Sequence, residues 1–252
     1  MLSIFEPLGP NSWRPSPLAA GPFAGLQGGA VAGLLTSELE SLAAEKKWGD
    51  AIGVTAWFLR PAPMADLRTA ITPITQGGRL NVIENTLYTV DGFKPIASAR
   101  VTFAHKRPVD VQLSRETTQH HDPLTFPARD SKLPTGKAWF MEAMEMRPAP
   151  DIAWFRLKHQ ITPHAGTLAM VLGPADWTHG LARPVRNVVA DPNPNLTVHL
   201  FRAPLGDWIG VQAHTRWQPE RGLGMGRGTL FDTSGEIGCV SMDVVLLPAR
   251  GA

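Results

Sequence analysis

The side chains best placed to do chemistry fall in three short stretches. In HAGTLAMVLGPADWTHGL (164–181) the acid Asp176 lies four residues after Leu172 and eight after Leu168. On a helix it therefore shares or borders their apolar stripe. An ionised carboxylate there is costly unless it is hydrogen-bonded. Such a group can activate a water or attack a carbonyl. The plainer reading is a helix-face Asp held by a neighbouring hydroxyl or by the irregularity at Pro174. Downstream, ADPNPN (190–195) supplies Asn193 and Asn195, whose side chains can orient water or Asp176. The same letters also suit a turn that enters a strand. The third stretch, LQGGAVAGLL (26–35), places Gln27, Gly28 and Gly29 at the opening of an apolar helix. Free backbone N–H groups at a helix start can hold an oxyanion. Glycine there can equally serve close helix–sheet contact.

These residues must be positioned by a duplicated scaffold. FLRPAPMADLRT (58–69) and FRAPLGDWIGVQ (201–212) have one plan, and Arg202 lies 142 residues after Arg60. TLYTVDG (86–92) meets TLFDTSG (229–235) at an offset of 143, and IASARVTF (96–103) meets CVSMDVVL (239–246) at the same offset. Two copies exclude a solenoid, which needs at least three. Each copy reads as a helix followed by antiparallel strands. The first helix is expected over 28–47, with Val31, Leu34, Leu35, Leu39 and Leu42 as its stripe and Glu38, Glu40 and Glu45 mostly outside it. The second is expected over 164–181, bent or interrupted at Pro174. Strands are expected at VTAWFLR, LRTAITPIT, RLNVIENTLYT, LTVHLFR, DWIGVQAHTRW and GMGRGTLFD, with turns at Asp91-Gly92 and Ser234-Gly235. AWFMEAMEMRP and IAWFRLKHQ open the second copy. The fold class is α+β, each helix packed on a sheet face. The expected division is 1–104, a polar, Pro-rich linker 105–138, and 139–252.

Other motifs carry less. HHD (120–122) lacks a third metal ligand nearby, and no metal is expected. The glycines of GLGMGRG (222–228) alternate on a strand and do not form a dinucleotide fingerprint; they make one face flat for close packing. Arg79 is a surface residue that could meet a ligand phosphate. Cys239 reads as a packed thiol in a buried strand.

The 252 residues carry a net charge of +2, with no basic block, so a nucleic-acid partner is not expected. A lone cysteine fits a reducing compartment. Neither a signal peptide nor an apolar run long enough for a membrane span is seen, and a cytoplasmic location is expected.

A helix wrapped by an antiparallel sheet, duplicated in one chain, is the layout of a double hotdog. LQGGAVAGLL, PADWTHGL (174–181), NPNLTVHLFRAPLGDWIG (193–210) and GLGMGRGTLFDTSGEIG (222–238) resemble, in order and spacing, the thioesterase-like superfamily, in particular the bacterial type II acyl-CoA thioesterases. The resemblance implies acyl-CoA thioester hydrolysis with Asp176 as the catalytic acid residue, and no cofactor. It places Asn193 or Asn195 as polar partners, and Gln27, Gly28 and Gly29 near the thioester. The family's glutamine on the last strand is replaced by Met242, with Asp243 beside it. Methionine cannot orient water. Asp243 takes that role through a register shift, or hydrolysis is weakened or lost and the protein binds acyl-CoA or a lipid-like ligand. An enoyl-CoA hydratase is a third reading, from the Asp-x-Asn-Pro of ADPNPN. Only the second copy shows an Asp on its helix, so one main active site per chain is expected, built from both halves. Homo-oligomers through the sheets are expected as in other hotdog proteins.

Overall fold

The computed structural model of the protein describes residues 3–111, 121–183 and 189–248. The first half comprises β1 (Phe5–Gly9), β2 (Ser12–Pro15), α1 (Gly28–Lys46), β3 (Asp50–Phe58), β4 (Leu67–Gln76), β5 (Leu80–Thr89) and β6 (Ala97–Ala104). The second begins with β7 (Met144–Pro148), β8 (Ala153–Leu157), α2 (Thr167–Ala175), α3 (Thr178–Leu181) and the short β9 (Val189–Ala190). It continues with β10 (Asn195–Leu200), β11 (Trp208–Ala213), β12 (Arg216–Gln218), β13 (Leu223–Asp232), β14 (Gly235–Val245) and β15 (Leu247–Pro248).

The main sheet runs β1-β2-β4-β5-β6-β3-β10-β14-β13-β11-β8-β7, with β12 added on β13. Read outward from the β3–β10 junction, both halves list equivalent strands in the same order. At the junction the antiparallel register sets Thr197 opposite Thr55, the residue 142 positions earlier. A pseudo-two-fold axis therefore passes between them.

Alternation within the strands decides what faces the helices. On β10, Leu196, Val198 and Leu200 are buried, while Thr197 and His199 turn to the other face. α1 is buried over nearly its whole circumference, from Gly29 through Ser37 and at Leu39 and Ala43. That is the signature of a helix enclosed on all sides. It packs beside α2, and Leu34, Leu35, Leu39, Phe103, Phe140, Phe155, Leu168 and Leu172 fill the shared core. Each such side chain contributes about 1.5–3 kcal/mol by burial.

Several expectations need revision. The second helix is shorter than 164–181 and is divided: α2 ends after Ala175, and α3 begins at Thr178. Pro174 sits inside the last turn of α2 without breaking it, because Asp176 N–H still reaches Leu172 O. The hairpin β1–β2 was not anticipated from FEPLG and SWRP; it matches β7–β8 in the second half. DWIGVQAHTRW makes two strands, β11 and β12. Cys239 is exposed, since on β14 it alternates with the buried Val240 and Met242.

The segment between the halves clasps the outer side of the second half. Arg129 N–H donates to Met146 O on the edge strand β7, and Arg147 Nη1 donates to Phe126 O. His121 packs between Trp154 and Phe231 at ring distances of 5.3 and 5.8 Å. Of the HHD motif, His120 lies outside the described residues, and Asp122 caps a turn by accepting from Leu124 N–H at 2.9 Å. No group of three or more His, Cys, Asp or Glu side chains suited to a metal occurs among the described residues.

Candidate active site

The sequence brings Asp176 to the end of α2 and Gly28 to the start of α1, and antiparallel packing of the two helices makes those ends meet. Asp176 is 3% exposed. Its Oδ2 accepts from Gly29 N–H at 2.9 Å and from Gln27 Nε2. Its Oδ1 accepts from Asn193 Nδ2 at 2.7 Å. Gln27 is the N-cap of α1, and its Oε1 accepts from Ala30 N–H at 2.9 Å. One side chain thus completes the helix end and turns its amide toward the carboxylate.

Burial pushes the Asp176 carboxyl up to about 6, while Asn193, Gly29 and Gln27 favour its ionised form. Of the first N–H groups of α1, that of Gly29 serves Asp176, that of Ala30 serves the Gln27 side chain, and that of Val31 serves Gln27 O. Among the described residues the Gly28 N–H has no partner, which leaves it for a ligand. Glycine is required here by space: a Cβ on Gly29 would lie 2.8 Å from Leu172 O, and one on Gly28 would lie 3.0 Å from both Asp176 Oδ2 and Phe58 Cζ.

The two asparagines part company. Asn193 is held by the turn that follows Asp191. Asp191 is fully buried and accepts from Arg183 Nε at 2.8 Å and from Arg183 Nη2. Asn195 turns away from Asp176. Its Nδ2 donates to Asp243 Oδ2 at 2.7 Å, and its Oδ1 accepts from Asp243 N–H at 2.8 Å. Asp243 is exposed on β14, on the face opposite Met242. Met242 is buried toward the helices, with its sulfur 3.1 Å from His179 Nδ1 on α3. Alternation on one strand leaves no register in which both residues face Asp176.

The structure thus gathers Gln27, Gly28, Gly29, Asp176 and Asn193. It places Met242 one layer away beside His179, and it sets Asn195 and Asp243 on the outer face. Sequence reasoning missed Phe58, His179, Arg183 and Asp191. It also treated Glu40 as a surface acid, yet Glu40 accepts from Leu168 N–H at 2.7 Å and from Ala169 N–H at 3.2 Å at the start of α2. The first copy therefore has an acid on its helix too. Gly226 and Gly228 of the alternating run give α3 its seat: a Cβ at either would lie 3.2 Å from His179 Cβ or Thr178 Cγ2.

Comparison with known proteins follows this geometry. The chain superposes on a proposed thioesterase from Novosphingobium aromaticivorans DSM 12444 with a TM-score of 0.73 at 18% identity, covering 98% of this chain and 100% of that one. A hot dog fold protein of unknown function from Alicyclobacillus acidocaldarius gives 0.70 at 14%, covering 94% and 92%. An acyl-CoA thioesterase II from Mycobacterium marinum gives 0.67 at 15%, covering 98% and 96%. These likenesses establish the hotdog fold. A search of curated proteins finds no match. Residues 16–104 match the family profile described as the acyl-CoA thioesterase N-terminal domain, and residues 119–247 match that of the C-terminal domain. With both profiles matched in order along the chain, the protein belongs to the acyl-CoA thioesterase family.

Proposed function

We propose that the protein hydrolyses an acyl-CoA thioester, with water positioned by Asp176. The observation that carries this reading is the meeting of a buried carboxylate with a helix N-terminus whose Gly28 N–H is unengaged among the described residues. The thioester carbonyl oxygen sits at Gly28 N–H, where the positive end of the 19-residue α1 favours developing negative charge. Asp176, ionised above about pH 6, takes a proton from the attacking water. The water oxygen adds to the carbonyl carbon. Collapse of the intermediate breaks the C–S bond, and the departing thiolate of coenzyme A takes the proton held by Asp176, which returns to its ionised form. Gln27 and Asn193 hold the carboxylate. Met242, beside His179, offers Asp176 no hydrogen bond.

Asp176 is closed over in the free protein, so the side chains around it must shift for turnover. That closure, with Met242, favours the second reading, a binder of acyl-CoA or a lipid-like ligand without hydrolysis. Among the described residues no helix is long and apolar enough to cross a membrane.

Thiol release from a panel of acyl-CoAs, measured with wild type and Asp176→Asn, separates the readings. Turnover that falls at least about a hundredfold in Asp176→Asn supports hydrolysis through this residue. Ligand-induced thermal stabilisation with no thiol release from wild type supports the binder.

A further inference from the structure

The axis between Thr55 and Thr197 carries the Asp176 site onto a second place in the molecule. Phe58, which closes over Gly28, has Leu200 as its counterpart 142 residues later, and Asn193 has Ala51 at the same offset. The opening of α1 corresponds to the opening of α2. These counterparts converge: Ala51, Thr167, Leu168 and Leu200 line a cavity of 180 Å³.

An acid is present there as well. Glu40 of α1 also lines the cavity, and it bonds the first N–H groups of α2 as Asp176 of α2 bonds Gly29 of α1. Glu40 sits 13 residues after its N-cap and Asp176 sits 10 after its own. The longer side chain, placed one turn further along, reaches the equivalent helix end. Steric demand recurs too, since a Cβ on Gly166 would lie 2.5 Å from Glu40 Cδ. Glu40 is partly buried, and burial pushes its carboxyl up to about 7, against the backbone N–H groups of Leu168, Ala169 and Thr167.

What differs is the amide support. Asn193 is replaced by Ala51, and the N-cap Gln27 by Gly166. Asp176 is buried, whereas Ala43, Ala44, Gly49 and Ala51 leave space at Glu40, beside the apolar Phe103 and Leu200. We propose that this cleft is a second acyl-thioester-binding site, in which the Glu40 carboxyl, in its protonated form, donates to the acyl carbonyl and the missing amides leave binding without hydrolysis. Its ligand class rests on the function proposed above; its existence rests on the cavity and the axis.

The test is calorimetric titration of the full chain with a thioether analogue of an acyl-CoA, which cannot be hydrolysed, beside thiol release from the matching thioester. Wild type is expected to bind two analogues per chain. Ala51→Phe and, separately, Ala44→Phe fill the cleft; each should bind one, with turnover changed less than about twofold, as for independent sites. Two variants guard against one of them failing to fold, and retained turnover reports folding. One analogue per wild-type chain, or two in a folded cleft-filled variant, overturns the second site. Two analogues with no thiol release from wild type sinks the Asp176 mechanism and leaves the second site standing.

Discussion

The hydroxyls of Thr55 and Thr197 lie 3.3 Å apart across the junction of the two halves. Each is the repeat counterpart of the other, so the contact joins a residue to its own image. Everything that differs between the halves can be measured from this point, and several of the differences are testable.

Asn193 exists on one side only, and its amide favours the ionised form of Asp176. Asn193→Ala should raise the Asp176 carboxyl further above about 6, so the acidic limb of the pH–rate profile should move to higher pH. Turnover at neutral pH should fall about tenfold, the scale of one lost hydrogen bond to a charge. An unshifted limb would separate Asn193 from Asp176.

Arg60 and Arg202 are repeat equivalents with unequal duties. Arg202 donates to both oxygens of Asp232, which is fully buried and also receives Leu205 and Ser234 N–H at 2.8 Å. Arg60 is exposed, and among the described residues its side chain bonds only Pro95 O. Arg202→Ala should cost about 3–5 kcal/mol in urea unfolding, because it strands a buried charge. Arg60→Ala should cost less than about 1 kcal/mol.

Gly29→Ala should push α1 away from α2, since the new methyl would fall 2.8 Å from Leu172 O. A loss of about 1–3 kcal/mol is expected, as for overpacking. Turnover should drop with it, because the same movement lengthens the Gly29–Asp176 bond. A melting temperature equal to wild type would show that the helices can separate freely.

Stability should carry a signature of Glu40. A carboxyl raised from 4.5 to about 7 in the folded state binds protons there that the unfolded chain has released. Its contribution is therefore fully present below about pH 4.5 and is lost as pH rises through about 7. Buried His179, lowered to about 4, acts in the opposite direction, gaining stability as pH rises from about 4 toward 6.5. The informative quantity is thus the difference between wild type and Glu40→Gln, which should change by on the order of 1–3 kcal/mol across pH 4.5–7. A flat difference would show that Glu40 titrates alike in both states.

Cys239, exposed on β14, should react with a thiol reagent in the native protein at one equivalent per chain. Labelling only after unfolding would place it inside.

The halves and most strands were legible because repeat offsets and period-two alternation are local properties of the chain. So was the candidacy of Asp176, an acid bordering an apolar stripe. Glu40 was not legible: its partners Leu168 and Ala169 lie 128 and 129 residues away, and an acid among SELES reads as solvated. β1 and β2 were hidden by Pro7, Pro10 and Pro15, which mimic a loop. Cys239 was misread although a signal existed. Beyond the irregularity at Ile237, the buried set of β14 is Val240, Met242 and Val244, and its outward set is Cys239, Ser241 and Asp243. The same alternation separates Asp243 from Met242.

The clasp on β7 has a colloidal consequence. A long antiparallel sheet offers two margins at which a strand from another molecule could add. At one margin Met146 O is already taken by Arg129 N–H, and Pro148 ends the strand without a donor. At the other, β1 is five residues long and carries Glu6 and Pro7. Charge, proline and shortness at a margin discourage edge-to-edge growth. Concentrated solutions of this protein should therefore resist fibrillar polymerisation through the sheet margins.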